Sequence, residues 1–162
     1  MSHVERSVEL FGLKFNCAQS VFASFSKELG LDEKQALKIG GCFGSGMRKG
    51  EVCGACTGAL MALGLKPGDE VIAPSFTFVA TAEVVALLGL KLVLVDVDPD
   101  TFCISLQEVE NAITENTKVI IPVHLFGQNA DMESILRVAR EHNLYVVDDA
   151  CQSIGSHYTF SN

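Results

Sequence analysis

Basic residues are scarce in this chain of 162 residues. Lysine and arginine together number 12 against 20 aspartates and glutamates, a net charge of −8. A chain so acidic offers no positive face for phosphate backbones, so nucleic acid is excluded as a main partner. Long apolar runs are also missing. The longest, residues 84–95, is broken by Gly89 and Lys91 and is too short to span a bilayer, so no membrane partner is expected. The first residues, Met1-Ser2-His3-Val4-Glu5-Arg6, lack the apolar core of a signal peptide, and the expected compartment is the cytoplasm. Paired C-x2-C motifs of the zinc-ribbon type do not occur. What remains is 48% apolar and 20% charged, a composition that can bury a core. Six cysteines in a reducing compartment read as reduced, metal-bound or redox-active thiols and not as structural disulfides.

The first third reads as helical. Val4, Val8, Phe11 and Phe15 fall at helical spacing within residues 3–29. Asn16 followed by Gln19 predicts a capping box that opens a helix over 17–29, with Gly30 just past its end. Asp32 predicts the cap of a third helix over 33–39. The glycine-rich run 40–46 interrupts, and a fourth helix is expected from about 51 to 63, ending at Gly64. Cys17, Cys42, Cys53 and Cys56 all lie here. Cys53-Gly54-Ala55-Cys56 places a C-x-x-C at a helix N-terminus, where the dipole favours thiolate, the species that binds metal or attacks disulfides. Small apolar cysteines filling a helical core are the competing reading.

The remainder alternates strand and helix. A turn at Lys66-Pro67-Gly68-Asp69 leads into strands over 70–74, 91–97, 118–123 and 144–148, separated by helices over 76–88, 105–113 and 130–141. Strands joined by such helices make right-handed crossovers in a parallel sheet. The run 91–97, nearly all Val and Leu, reads as a strand buried on both faces. Met132, Ile135, Leu136, Val138 and Ala139 form the inward face of the last helix. The last strand ends on Asp148-Asp149, and the carboxyl ends of strands are where open α/β sheets place their chemistry. A strand-end aspartate that merely caps a turn is the simpler reading of Asp149 on spacing alone.

Two resemblances follow. Asn16-Cys17-Ala18-Gln19-Ser20-Val21, Gly41-Cys42-Phe43-Gly44-Ser45-Gly46 and Gly50-Glu51-Val52-Cys53-Gly54-Ala55 resemble the C-GCAxxG-C-C family of small helical redox-active proteins over residues 4–65. Cys17, Cys42 and Cys53 match its first three cysteines. Phe43 stands where that family has alanine, and Cys56 is off its pattern. This resemblance implies a redox, metal or iron–sulfur role for Cys17, Cys42, Cys53 and Cys56.

Residues 64–160 resemble the DegT/DnrJ/EryC1/StrS family of sugar aminotransferases. The carrying runs are Lys66-Pro67-Gly68-Asp69-Glu70-Val71, Pro74-Ser75-Phe76-Thr77-Phe78-Val79-Ala80-Thr81-Ala82, Val95-Asp96-Val97-Asp98-Pro99-Asp100-Thr101, Ile121-Pro122-Val123-His124-Leu125-Phe126-Gly127-Gln128 and Asp148-Asp149-Ala150-Cys151-Gln152. The resemblance implies an α/β fold, part of the parallel-sheet large domain of the pyridoxal-phosphate aspartate-aminotransferase fold. It also implies transfer of an amino group from an amino-acid donor to a nucleotide-linked keto-sugar, with sites built across a homodimer. By the same resemblance Asp149 pairs with the cofactor's pyridine nitrogen, Phe78 stacks on its ring and Gln152 lies beside it. Cys103 and Cys151 are expected to fill core, and His124 to be a satisfied structural histidine.

Two departures from this family stand out. No residue after Lys118 is a lysine, so the family's Schiff-base lysine has no counterpart here. The family's phosphate-binding Gly-Thr falls on Val52-Cys53. The expected organisation is therefore a helical segment over 1–64 joined to a partial aminotransferase domain over 65–162, a chimera whose shared helix runs through Ala59-Leu60-Met61-Ala62-Leu63, and which is inactive alone.

Overall fold

The computed structural model describes residues 1–44 and 53–161. The chain divides into two compact units, Met1–Leu65 and Lys66–Asn162. Residues 45–46 of the predicted glycine-rich run, the predicted helix start at 51–52 and the Val52 position lie outside the described residues.

The first unit contains α1 (His3–Gly12), α2 (Cys17–Ser24), α3 (Glu33–Gly40) and α4 (Gly54–Ala62). Three capping boxes open the first three helices. In each, the side chain of Ser2, Asn16 or Asp32 accepts from the backbone three residues on, and Glu5, Gln19 or Gln35 returns the bond. Helix α2 is shorter than the periodicity predicts. It stops at Ser24, and turns carry the chain to Gly30, whose φ of 66° suits glycine. Leu10, Phe22, Ala23 and Ala36 form this unit's core, with Phe15, Leu29 and Leu31 packed against it. Helix α1 turns the other way from its apolar spacing. Val4, Val8 and Phe11 are 72%, 68% and 61% exposed, and Leu10 is the residue that goes inward. Arg6 from α1 bonds Glu33 of α3 through Nε at 2.8 Å, which ties that opposite face down.

The second unit contains β1 (Glu70–Pro74), α5 (Val79–Leu87), β2 (Lys91–Val95), α6 (Leu106–Ala112), β3 (Thr117–Ile120), a short 3₁₀ turn (Leu125–Gly127), α7 (Met132–Glu141) and β4 (Tyr145–Val146). The strands form one parallel sheet in the order β2-β1-β3-β4. Strand β1 is buried along its whole length. Successive residues of a strand face opposite sides, so Ile72 and Ile120 join the core under α6 and α7, built with Ile104, Val109, Ile135 and Val138. Helix α7 buries Met132, Ile135, Val138 and Ala139, four of the five residues expected on its inner face. Strand β2 departs from expectation. It lies at the sheet edge and only Val95 of its five residues is buried, so its apolar run is not enclosed on both faces. No helix among the described residues is long and apolar enough to cross a membrane.

The chain runs from β1 outward to β2, then returns past β1 to β3 and β4. The direction of winding reverses between β1 and β3. A crevice opens at such a switch, outside the carboxyl ends of the strands.

Candidate functional site

Four segments meet at the carboxyl edge of the sheet. Asp149 follows β4 and pairs in parallel with Val123, beyond the end of β3. Its amide donates to Pro122 O at 3.0 Å, and its carbonyl accepts from the His124 amide at 3.1 Å. Its carboxylate is half-buried and doubly held. Thr81 Oγ1, from the first turn of α5, donates to Oδ2 at 2.8 Å. The Cys151 amide donates to Oδ1 at 3.2 Å. A carboxylate with one donor on each oxygen has a fixed direction and keeps lone pairs for a further partner.

Phe78 is the N-cap of α5, one turn before Thr81, and it is 64% exposed. So large an exposed ring at a strand-to-helix corner is available to a flat partner and is not a core phenylalanine. Its neighbour Thr77 carries a buried hydroxyl with no hydrogen-bond partner among the described residues. Gln152 Oε1 accepts from the Phe126 amide at 3.0 Å. That bond fixes which end of the amide is oxygen and leaves the NH₂ as the end able to donate. Phe126 itself is in the left-handed region, φ 56° and ψ 25°, a conformation costly for a bulky residue. The Gln152 bond holds it there.

Asp148 and His124 form a second pair. His124 is buried, its Nδ1 accepts from the Ala130 amide at 2.9 Å, and its Nε2 lies 2.6 Å from Asp148 Oδ1. Because Nδ1 accepts, the ring proton sits on Nε2 and is donated to Asp148. The expectation of a satisfied histidine describes this geometry. Thr81 carries no role in the sequence reading. The available signal was a threonine one turn after Phe78 in a helix whose one other polar residue is Glu83.

The cysteines are distributed differently. Cys103 is buried, as expected, whereas Cys151 is exposed at the site rather than filling core. In the helical unit Cys17 and Cys53 are half-buried, Cys42 is exposed and Cys56 is buried. Among the described residues no three His, Cys, Asp or Glu side chains gather closely enough to hold a metal ion. Cys17, Cys42, Cys53 and Cys56 therefore do not form such a cluster there. Cys17 packs against Gly54 instead: a side chain added at Gly54 would collide with its Sγ.

The parallel α/β sheet is that of a pyridoxal-phosphate aminotransferase large domain, as solved structures show. NtdA from Bacillus subtilis with bound cofactor PMP superposes with a TM-score of 0.61 at 48% identity, over 62% of this chain and 23% of that one. An aminotransferase from Psychrobacter cryohalolentis gives 0.62 at 40% identity, over 64% and 26%. The chain belongs to the DegT/DnrJ/EryC1/StrS aminotransferase family, whose pattern matches residues 49–160. That match reaches back through α4, further than the resemblance over 64–160. Among curated relatives, the UDP-2-acetamido-2-deoxy-3-oxo-D-glucuronate aminotransferase of Pseudomonas aeruginosa is 56% identical over 98 residues, 60% of this chain and 27% of that protein. GDP-perosamine synthase of Caulobacter vibrioides is 52% identical over 100 residues, 62% and 27%. The chain thus spans about a quarter of the length of these relatives.

Proposed function

We propose that the carboxyl edge of this sheet is the ring-binding side of a pyridoxal-phosphate site in a sugar aminotransferase. The substrates by this reading are a nucleotide-linked keto-sugar and an amino-acid donor. The observation that carries the proposal is the Asp149 carboxylate, held on both oxygens at the carboxyl edge of the sheet in a chain of this family. Three features fit a pyridinium ring: a directed anion, the broad exposed face of Phe78, and the Gln152 amide with its NH₂ able to donate. When bound, the cofactor would supply an electron-withdrawing ring, effective while its nitrogen stays protonated. Asp149 would hold that proton on the nitrogen, Phe78 would stack on the ring, and Gln152 would donate beside it. Thr81 keeps Asp149 aimed. The amine that attaches the cofactor in this family is not among these residues, so the 162 residues bind and orient without completing the transfer.

Amide-resolved NMR titration with pyridoxal phosphate tests this. The largest shifts are expected at Phe78, Thr81, Asp149, Cys151 and Gln152. Shifts confined to the helical unit, or none at all, would contradict it.

For Met1–Leu65 we infer a separate module with a thiol role, joined to the aminotransferase part through α4. What lies behind it is that four of the six cysteines, Cys17, Cys42, Cys53 and Cys56, fall within this unit. Equilibration of Cys53→Ser and of the parent chain against thiol–disulfide redox buffers tests it: an unchanged reduction potential would count against a redox role.

A further inference from the structure

We propose that His124 is a positioning residue for Asp149, acting through Asp148. The inference rests on the reading of Asp149 as the partner of a pyridine nitrogen and adds what aims it.

The strand end that carries Asp149 is weakly laddered. Strand β4 is two residues long, and only an isolated bridge, Val123 with Asp149, continues the pairing beyond it. The ladder there runs Val147 N to Ile120 O, Asp149 N to Pro122 O and His124 N to Asp149 O, at 3.0, 3.0 and 3.1 Å. The next bond of the pattern would come from the amide of residue 122. That residue is proline and has no N–H, so the ladder misses a rung two residues before Asp149. With that rung lost, side-chain contacts take a larger share in fixing the orientation of this strand end.

Adjacent side chains on a strand point to opposite faces, so a clamp on Asp148 fixes the direction of Asp149. His124 is that clamp. Its ring is buried, its Nδ1 is held by the Ala130 amide at 2.9 Å, and its Nε2–H reaches Asp148 Oδ1 at 2.6 Å. Its own amide bonds Asp149 O as well. One residue thus grips the strand end by backbone and by ring. Thr81 takes hold of Asp149 from α5.

The test compares binding of pyridoxal phosphate with binding of its 1-deaza analogue, which lacks the ring nitrogen. The parent chain should prefer the natural compound by about tenfold or more, the size of one charge-assisted hydrogen bond. Asp148 is half-exposed, so Asp148→Ala should fold. That variant, and His124→Gln, should cut the preference to about threefold or less, which is most of such a bond lost. Asp148→Asn keeps an acceptor for Nε2–H and should retain the preference. Undiminished preference in Asp148→Ala and His124→Gln overturns the proposal. If the parent chain itself shows no preference, the reading of Asp149 fails instead, and amide exchange then decides the positioning. Asp148→Ala should speed exchange at the Cys151 amide, which donates to Asp149, by about tenfold, as expected when a local clamp opens. Unchanged exchange there overturns the proposal by itself.

Discussion

Replacing Glu70 with glutamine tests how the sheet is pinned at its opposite edge. Glu70 opens β1 and is 3% exposed. Its carboxylate accepts from Lys91 Nζ at 2.7 Å, Thr114 Oγ1 at 2.5 Å and Thr117 Oγ1 at 3.2 Å, so it joins β1 to β2, to β3 and to the turn before β3. The lysine side chain is 65% exposed, and that ion pair contributes at most about 1 kcal/mol. The two hydroxyls donate to a buried charge and carry more, about 1.5 kcal/mol each at the low end. Glutamine keeps the shape and one acceptor, so the expected loss is about 1–2 kcal/mol; alanine leaves the threonines unpaired and costs about 3 kcal/mol. The Lys91 and Thr114 bonds hold the Glu70 pKa below its ordinary 4.5. The folded state therefore binds this proton less readily than the unfolded one. The stabilisation is full above about pH 4.5 and fades as pH falls through the lower folded-state value. The assay is urea unfolding followed by tyrosine fluorescence. There is no tryptophan, and both tyrosines, Tyr145 and Tyr158, belong to the second unit, so the signal reports that unit alone. Equal stability at pH 7, or a gap between the chains that stays constant down to pH 3, would refute the reasoning.

Three further outcomes follow from the same geometry. Asp131 caps α7 through Ser134 N and accepts from Tyr158 Oη at 3.1 Å, so Asp131→Ala should cost about 1 kcal/mol in the same urea assay. Gly54→Ala should destabilise the helical unit by collision with Cys17 Sγ; Cys17→Ala in the same chain should recover part of the loss, a non-additivity that calorimetry of the four chains would measure. Val8→Glu on the exposed face of α1 should change stability by less than about 0.5 kcal/mol, whereas Leu10→Ala should cost about 2–4 kcal/mol, a contrast that helical circular dichroism on heating would show.

What was legible in the sequence was local chemistry. The caps at Asn16 and Asp32 are set by side chains bonding amides three residues away, and each is present. The inner face of α7 was legible because its apolar residues keep helical period. What failed depended on neighbours. Val4, Val8 and Phe11 share a face in sequence, but the face chosen for burial is set by what α2 and α3 offer, and Leu10 with Arg6 won. The Val-Leu run of β2 looks like a central strand because composition does not report its place in strand order. In the site, Asp149, Phe78, Gln152, Thr81 and His124 all stood in family motifs, but the supporting contacts of Thr81 and His124 emerge only when strand ends and α5 are brought together in space.

The most direct test of the account is the ¹⁵N chemical shift of the ring nitrogen of labelled pyridoxal phosphate bound to the chain, compared with the Asp149→Ala variant. The account predicts a protonated nitrogen in the parent chain at a pH where the free cofactor has lost that proton, and an unprotonated one in the variant. The same unprotonated shift in both would contradict it.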